Sequence, residues 1–501
     1  MNNTGKVYGI TDHLCSPLTS VAGSYALLGA TVLREATVVT RLREAGAIIL
    51  GKATMGQWAQ CRSRKASSSH GWSAYGGQVH GAYYPQQDPS GSSSGSAVAV
   101  SVGLAMGSVA TETSGSIVLP GERSNIVGIK PTLGLTSRSM TIPISIRQDT
   151  TGPMARTVKD AAHLLTAFAG PDKHDNWTSS IPFTTMPDYA KACNYSALKG
   201  ARLGIPRNGI DHFLDDTTGP ILESFRSAVK LVSNAGAKVV DHADFAKFDF
   251  AAFARTSSIV LDTDFVAGLK DYLSHLDRNP NNIRDLFDLA HFTKADPREE
   301  YPGRDTYVWD RQLTRNITNH SARSHAAYQA NLRMAGEDGV LGVLDRYHLD
   351  ALVLPTFASY QLPAIGGLPV VTVPLGFYPS NTPTKMNAKG NLVSVAPNIP
   401  YGIAFIGRKW SEERLIGLAY AFEQRTLVRR RLKPHILPTF ELKDLETAVG
   451  GLSGQHRTPL SQQPVQMAAA ALPPAANIST GKGQSRTNKW SFLFGSRLSI
   501  S

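Results

Sequence analysis

The order of apolar and polar positions along the chain predicts alternating helices and strands. Apolar residues recur at helical spacing in the segments 36–46, 96–106, 157–169, 219–235 and 411–424. Short apolar runs predict strands at 47–53, 107–113, 201–205, 237–242, 351–356, 369–377 and 401–407. The runs 351–356 and 369–377 are apolar throughout, as in strands buried on both faces, and we expect 47–53 to be a short buried strand as well. Strands that alternate with helices indicate an α/β fold.

The same pattern suggests one large domain followed by a tail. The region 245–350 is mainly helical, with a polar loop at 296–304, and we find no clean break before residue 443. Beyond it Ala, Gln, Ser, Pro and Gly dominate and periodicity is weak. We therefore expect a domain over 1–443 and a low-complexity, disordered tail over 444–501.

Composition narrows the class of protein. Of the 501 residues 42% are hydrophobic and 18% charged, the balance of a globular enzyme. No apolar stretch reaches the length of a membrane span, and the N-terminus lacks the apolar core of a secretion signal. Three widely separated cysteines predict neither a disulfide framework nor a zinc site. We expect a cytoplasmic protein with no membrane span.

The net charge of +12 does not by itself indicate a nucleic-acid partner. Residues 450–501 contain five basic residues and no Asp or Glu. The run Arg429–Arg431 follows a predicted helix, where cations are favoured. Because no nucleic-acid-binding motif accompanies these charges, we expect no such partner.

Two serine clusters contain the candidate catalytic residues. The first, SGSSSGS at 90–96, resembles a flexible linker by composition alone. The second, TETSGSIVLPG at 111–121, follows a predicted strand. Small residues at such a turn let consecutive N–H groups point into one cavity, as in an oxyanion hole. One helix and one strand separate Ser92 from Ser116, so the chain can return beside its starting point.

Together these clusters resemble the amidase signature family, which includes acetamidases, fatty acid amide hydrolase and the A subunit of tRNA-dependent amidotransferases. Residues 90–96 match its serine-rich motif, and ATETSGSI at 110–117 matches its nucleophile motif. Further resemblance lies at 128–138, 149–162, 367–377 and 396–407. The resemblance covers about residues 22–442 and is strongest to the fungal-type amidases.

This resemblance implies a fold, a reaction and site residues. It implies a central mixed β-sheet flanked by helices in a single domain, and hydrolysis of a small-molecule carboxamide without metal or organic cofactor. Ser116 matches the nucleophile that forms the acyl-enzyme, and Ser92 matches the proton-relaying serine, whose peptide bond is cis in the family. The N–H groups of Thr113, Ser114, Gly115 and Ser116 would form the oxyanion hole. A buried, neutral lysine is the base, and region 245–350 would shape the acyl pocket.

The chain departs from the family where that lysine belongs. An ungapped alignment places Gly9 at its position, and Lys6 is the nearest amine. The departure suggests an N-terminally truncated member, an inactive one, or a rearranged site that uses Lys6. Val118 stands where many relatives have Arg, which lowers the case for a substrate bearing a carboxylate.

Other functions stay open beside hydrolysis. A catalytically inactive amidase-fold protein would lack the base, and an amidotransferase A-subunit-like glutaminase would need partner subunits. Gly91–Gly95 also fits the G-x-S-x-G nucleophile elbow, but no strand precedes it as that elbow requires. The oligomeric state is left open, with a homodimer as one option.

Overall fold

The computed structural model describes residues 7–11 and 21–438. The strands of this part of the chain are β1 Val7–Thr11, β2 Thr31–Val32, β3 Ile48–Ala53, β4 Trp72–Ser73, β5 Gly77–Gln78, β6 Gly107–Glu112, β7 Val127–Lys130, β8 Thr150–Ala155, β9 Arg202–Ile205, β10 Lys238–Asp241, β11 Leu276–Arg278, β12 Ala351–Pro355, β13 Val370–Phe377, β14 Lys385–Met386, β15 Val393–Val395 and β16 Pro400–Ile406. The α-helices are α1 Thr37–Glu44, α2 Ser94–Ser101, α3 Val118–Arg123, α4 Val158–Phe168, α5 Arg207–Asp211, α6 Gly219–Asn234, α7 Phe250–Ser274, α8 Leu286–Ala295, α9 Tyr307–Arg315, α10 Ala322–Ala335, α11 Val340–Arg346, α12 Gln361–Gly366 and α13 Glu412–Thr426.

A ten-stranded sheet forms the centre of the described part, in the order β10-β9-β12-β16-β13-β7-β8-β6-β1-β3. Its two ends are parallel, with β9 pairing β10 and β12, and β1 pairing β3 and β6. The strands between them pair in antiparallel fashion. The mixed α/β fold with a central mixed sheet is therefore confirmed.

Helices cover both faces of this sheet. Neighbouring residues of β6 belong to different cores: Val109 packs in the large cluster with α4 and α13, whereas Ala110 packs in a smaller cluster with Ala97 and Val100 of α2. Because successive side chains of a strand point to opposite faces, α2 lies on one face and the large cluster on the other.

The predicted elements are present, with two corrections. The run 47–53 forms a strand, but it is not buried: β3 is the last strand of the sheet, and Ile48 and Leu50 are more than half exposed. The helix expected over 96–106 begins earlier, at Ser94, and ends at Ser101 ahead of a turn at Gly103, whose φ is +87°. The predicted tail, 444–501, lies outside the described residues.

The sheet brings three chain segments to one edge. Since β3 and β6 both pair in parallel with β1, the segments that follow β3 and β6 start from the same edge. Ligand sites of α/β sheets lie at such carboxyl ends. Residues 54–60 follow β3 and residues 113–117 follow β6. The amide of Gly95 donates to Thr54 O at 2.9 Å, and that of Gly56 to Ser92 O at 3.0 Å, so the serine-rich loop is tied to the same edge.

Candidate active site

The structure brings Ser92 and Ser116 together. Both line one small cavity, and the amide of Ser93 donates to the carbonyl of Ser116 at 3.3 Å. The Gly91–Ser92 peptide bond is cis. Ser92 is fully buried, and its Oγ has no hydrogen-bond partner among the residues that the structure describes. A buried hydroxyl without a partner is costly, which marks Ser92 as a group available for chemistry.

The neighbouring serines are engaged elsewhere. Ser93 Oγ donates to Thr111 O at 3.1 Å, and Ser94 Oγ donates to Ser90 O at 2.5 Å. These bonds anchor the loop to β6 and to the start of α2. Of the three consecutive serines, Ser92 is thus the one that lines the cavity with Ser116 and whose hydroxyl has no competing bond to a described residue.

The turn that carries Ser116 is held from beneath by Glu112. This fully buried carboxylate accepts the amides of Ile117 and Val118 at 2.7 and 3.0 Å, and burial raises its pKa. Gly115 at the turn has φ +83°, a left-handed conformation that suits glycine. Within residues 7–11 and 21–438 we find no acceptor for the amides of Ser114 and Ser116. Free amides beside a nucleophile are what an oxyanion hole needs.

Asp149, a residue to which the sequence motifs gave no role, supports the same turn from the side. Its buried carboxylate accepts Thr113 Oγ1 at 2.6 Å and the amides of Ile144 and Ser145 at 2.7 and 2.9 Å. Burial raises the pKa of Asp149 to about 6. Its position in DTTGPM, within the segment that resembles the amidases, was the available signal.

A larger cavity of about 390 Å³ opens beside Ser116. Helices α7 and α9, from the region 245–350, supply much of its wall. Its apolar lining consists of Ala59, Ile144, Phe253, Ala254, Leu261 and Val308. A cavity of this size and character suits the acyl part of a small organic substrate.

The charges in this cavity are paired. Asp262, buried at 2% exposure, binds Arg311 at 2.7 and 3.0 Å and Arg315 at 3.2 Å. Burial raises the pKa of the nearby Cys61 thiol to about 12, so Cys61 stays protonated and is not a nucleophile at neutral pH.

A lysine base is the remaining requirement that the resemblance sets for this site. Lys6 lies outside the described residues. Lys130 is fully buried, and burial lowers its pKa to about 8. Its Nζ donates to the carbonyls of Leu368 at 2.8 Å and Pro131 at 3.3 Å, and it does not line the serine cavity. Lys130 therefore joins β7 to the start of β13 and is no substitute for the base.

Residues 7–11 and 21–438 contain neither a cluster of metal ligands nor a membrane-spanning helix. These residues contain no group of three or more His, Cys, Asp or Glu side chains that could hold a metal ion. Among their helices we find none that is both long and apolar enough to cross a membrane.

Comparison with known proteins identifies the family of the chain. The family model for amidases matches residues 17–416. The chain therefore belongs to the amidase family, and it is a hydrolase acting on amide C–N bonds.

Three relatives illustrate the range of the family. An amidase-family protein of the fungus Arthroderma benhamiae is 51% identical over 428 residues, 85% of this chain and 71% of that protein. A glutamyl-tRNA(Gln) amidotransferase subunit of Cereibacter sphaeroides is 30% identical and covers 84% of each chain. The solved peptide amidase of Stenotrophomonas maltophilia is 35% identical, with a TM-score of 0.74, over 86% of this chain and 84% of that one.

Proposed function

We propose that this amidase cleaves a small carboxamide through an acyl-enzyme on Ser116, with Ser92 relaying the proton. The observation that carries the proposal is the shared cavity of the two serines, in which Ser92 Oγ is buried without another described partner. The amides of Ser114 and Ser116, which have no acceptor in the described part of the chain, support it because they can stabilise the oxyanion of a tetrahedral intermediate.

The proposed steps are those of a serine acyltransfer. Ser116 Oγ attacks the carbonyl carbon while its proton passes to Ser92 Oγ, whose own proton passes to the base. The C–N bond then breaks, and the leaving nitrogen takes a proton back through Ser92. Water hydrolyses the ester by the reverse relay, which releases the carboxylate and restores Ser116.

The base is proposed to be a neutral lysine, and Lys6 is the candidate in this sequence. Its test is Lys6→Met beside Lys6→Arg. If Lys6 is the base, both variants lose most of kcat, since a guanidinium stays protonated. Unchanged turnover in both would exclude Lys6.

The proposal also covers the kind of substrate, the residues of the oxyanion hole and the cellular location. The partly apolar cavity beside Ser116, in which Asp262 and Arg311 pair with each other, favours an uncharged acyl group. The turn of Thr113, Ser114 and Gly115 is proposed to hold the carbonyl oxygen, with the amides of Ser114 and Ser116 as donors, since the amide of Gly115 bonds to Glu112. A cytoplasmic location is proposed as well. Ammonia release from glutamine, compared with that from neutral carboxamides, separates this hydrolase from an A-subunit-like glutaminase.

Turnover of a carboxamide panel by three serine variants tests the relay. Ser116→Ala should abolish turnover, and Ser92→Ala should lower kcat about 10²- to 10⁴-fold, the usual contribution of proton transfer. Ser93→Ala is the matched control, because it removes a buried neighbouring hydroxyl bonded to Thr111 O and should change kcat little. Full activity in either of the first two variants would refute the mechanism. An inactive wild-type chain that is folded would favour the non-catalytic alternative.

A further inference from the structure

Another cavity, of about 540 Å³, lies apart from the serines, and we call it the Glu122 cavity after a residue that lines it. Among the residues that the structure describes, it shares no lining residue with the cavities of Ser92 and Ser116. Helix α3 connects the two places. It begins two residues after Ser116, and its last two residues, Glu122 and Arg123, line the Glu122 cavity. The size lies within the range of small-molecule sites.

Glu122 is the feature that points to a ligand. It is 6% exposed, and its Oε2 accepts the amide of Gly402 at 3.0 Å. Its Oε1 receives no hydrogen bond from any residue of the described ranges, although the side chain lines a cavity. Burial raises the pKa of Glu122 to about 7. Oε1 is therefore open to the cavity and able to accept a hydrogen bond, so an N–H group of a ligand in the cavity can donate to it.

Aromatic rings line the same cavity. Tyr378 and Tyr401 pack edge to face at 5.3 Å between centroids, and Phe213 and Phe357 do so at 6.3 Å. Ring faces attract cations and accept apolar groups. Carboxyl and aromatic groups together are the usual surroundings of an organic ammonium ion.

The remaining charges favour a cation over an anion. The lining holds four carboxylates against two Arg or Lys side chains, in a chain whose net charge is +12. Lys385 pairs with Asp216, and Arg123 donates to the carbonyl of Ser394. Asp215, exposed at the rim, has no basic partner among the described residues.

We propose that the Glu122 cavity binds a small organic ammonium ion. The N–H groups of the ion would donate to Glu122, and its apolar body would lie between the tyrosine and phenylalanine rings. Binding there does not depend on the mechanism at Ser116.

Calorimetric titration with 2-phenylethylammonium tests the site, beside neutral 2-phenylethanol and anionic phenylacetate. The wild-type chain should bind the ammonium ion at least tenfold more tightly than the alcohol. Glu122→Gln should weaken it about tenfold or more, since the amide can still accept from Gly402 but carries no charge. Glu413→Gln, an exposed helical residue away from the cavity, is the matched control and should bind as the wild type does.

The Ser116→Ala variant separates this site from the serine site. Ammonium binding should persist in it, and loss of binding there would overturn the proposal. Equal affinity for the alcohol, or undiminished binding by a folded Glu122→Gln, would overturn it too. If Glu122→Gln does not fold, the rim variant Asp215→Asn decides: a two- to fivefold loss supports the site, and an unchanged affinity contradicts it.

Discussion

At the scale of single residues, environment separates serines that the sequence places side by side. Ser93 and Ser94 donate to main-chain carbonyls, whereas Ser92 has no such bond in the described structure. The sequence motif identified the cluster, and resemblance to the amidases selected Ser92 and Ser116 within it. Physical patterns alone could not select them, because hydroxyl partners depend on contacts such as that between Ser93 and residue 111.

Asp149 gives the first prediction at this scale. Asp149→Asn should lower kcat about 10- to 100-fold, because an amide cannot accept all three of its donors, and an orphaned donor costs about 1–3 kcal/mol. The measurement is steady-state kinetics, with KM expected to change less than kcat. Wild-type kcat in the folded variant would show that Asp149 does not position the Ser116 turn.

At the scale of elements, periodicity predicted the helices and strands but not their neighbours. The buried run 369–377 became β13 between β7 and β16, an order that no local pattern encodes. Long-range polar contacts were equally hidden. Glu299 is fully buried, and its carboxylate accepts hydrogen bonds from four residues that are all more than 230 positions away in sequence: Ser24, Tyr25, Gln57 and Arg62. Gln57 and Arg62 flank the lining residues Ala59 to Cys61, so these contacts hold that segment in place.

The packing of α2 on the loop after β3 yields the second prediction. A Cβ on Gly95 would lie 2.2 Å from Thr54 O, a main-chain atom that cannot move alone. Gly95→Ala should therefore lower the free energy of unfolding by about 3 kcal/mol. Gly219→Ala is the control at another helix start, where a Cβ meets no atom within 4 Å, and it should stay within about 0.5 kcal/mol of wild type. Urea unfolding of both variants measures the difference, and equal stabilities would contradict the packing.

At the scale of the whole molecule, burial of carboxyl groups should set the pH dependence of stability. Burial raises the pKa of Glu423 and Glu122 to about 7 from 4.5, and that of Asp149 to about 6 from 3.8. The folded state therefore holds protons that the unfolded state releases. The stabilisation is full below the unfolded pKa and is lost as pH rises through the folded one.

The third prediction follows from this sign. The melting temperature should fall between about pH 4.5 and 7, the window between the unfolded and folded pKa values of Glu423. Glu423→Gln should flatten the fall, whereas the exposed Glu413→Gln should leave it unchanged. Thermal unfolding followed by circular dichroism across this range is the measurement. A melting temperature that rises through the window would contradict the assignment.

The central claim is that Ser116 is an activated nucleophile, and covalent labelling with a fluorophosphonate tests it most directly. The label, mapped by mass spectrometry on the full chain, should lie on Ser116, should be absent from Ser116→Ala, and should form more slowly in Ser92→Ala. A folded protein that takes no label, or takes it on another serine, would contradict the account.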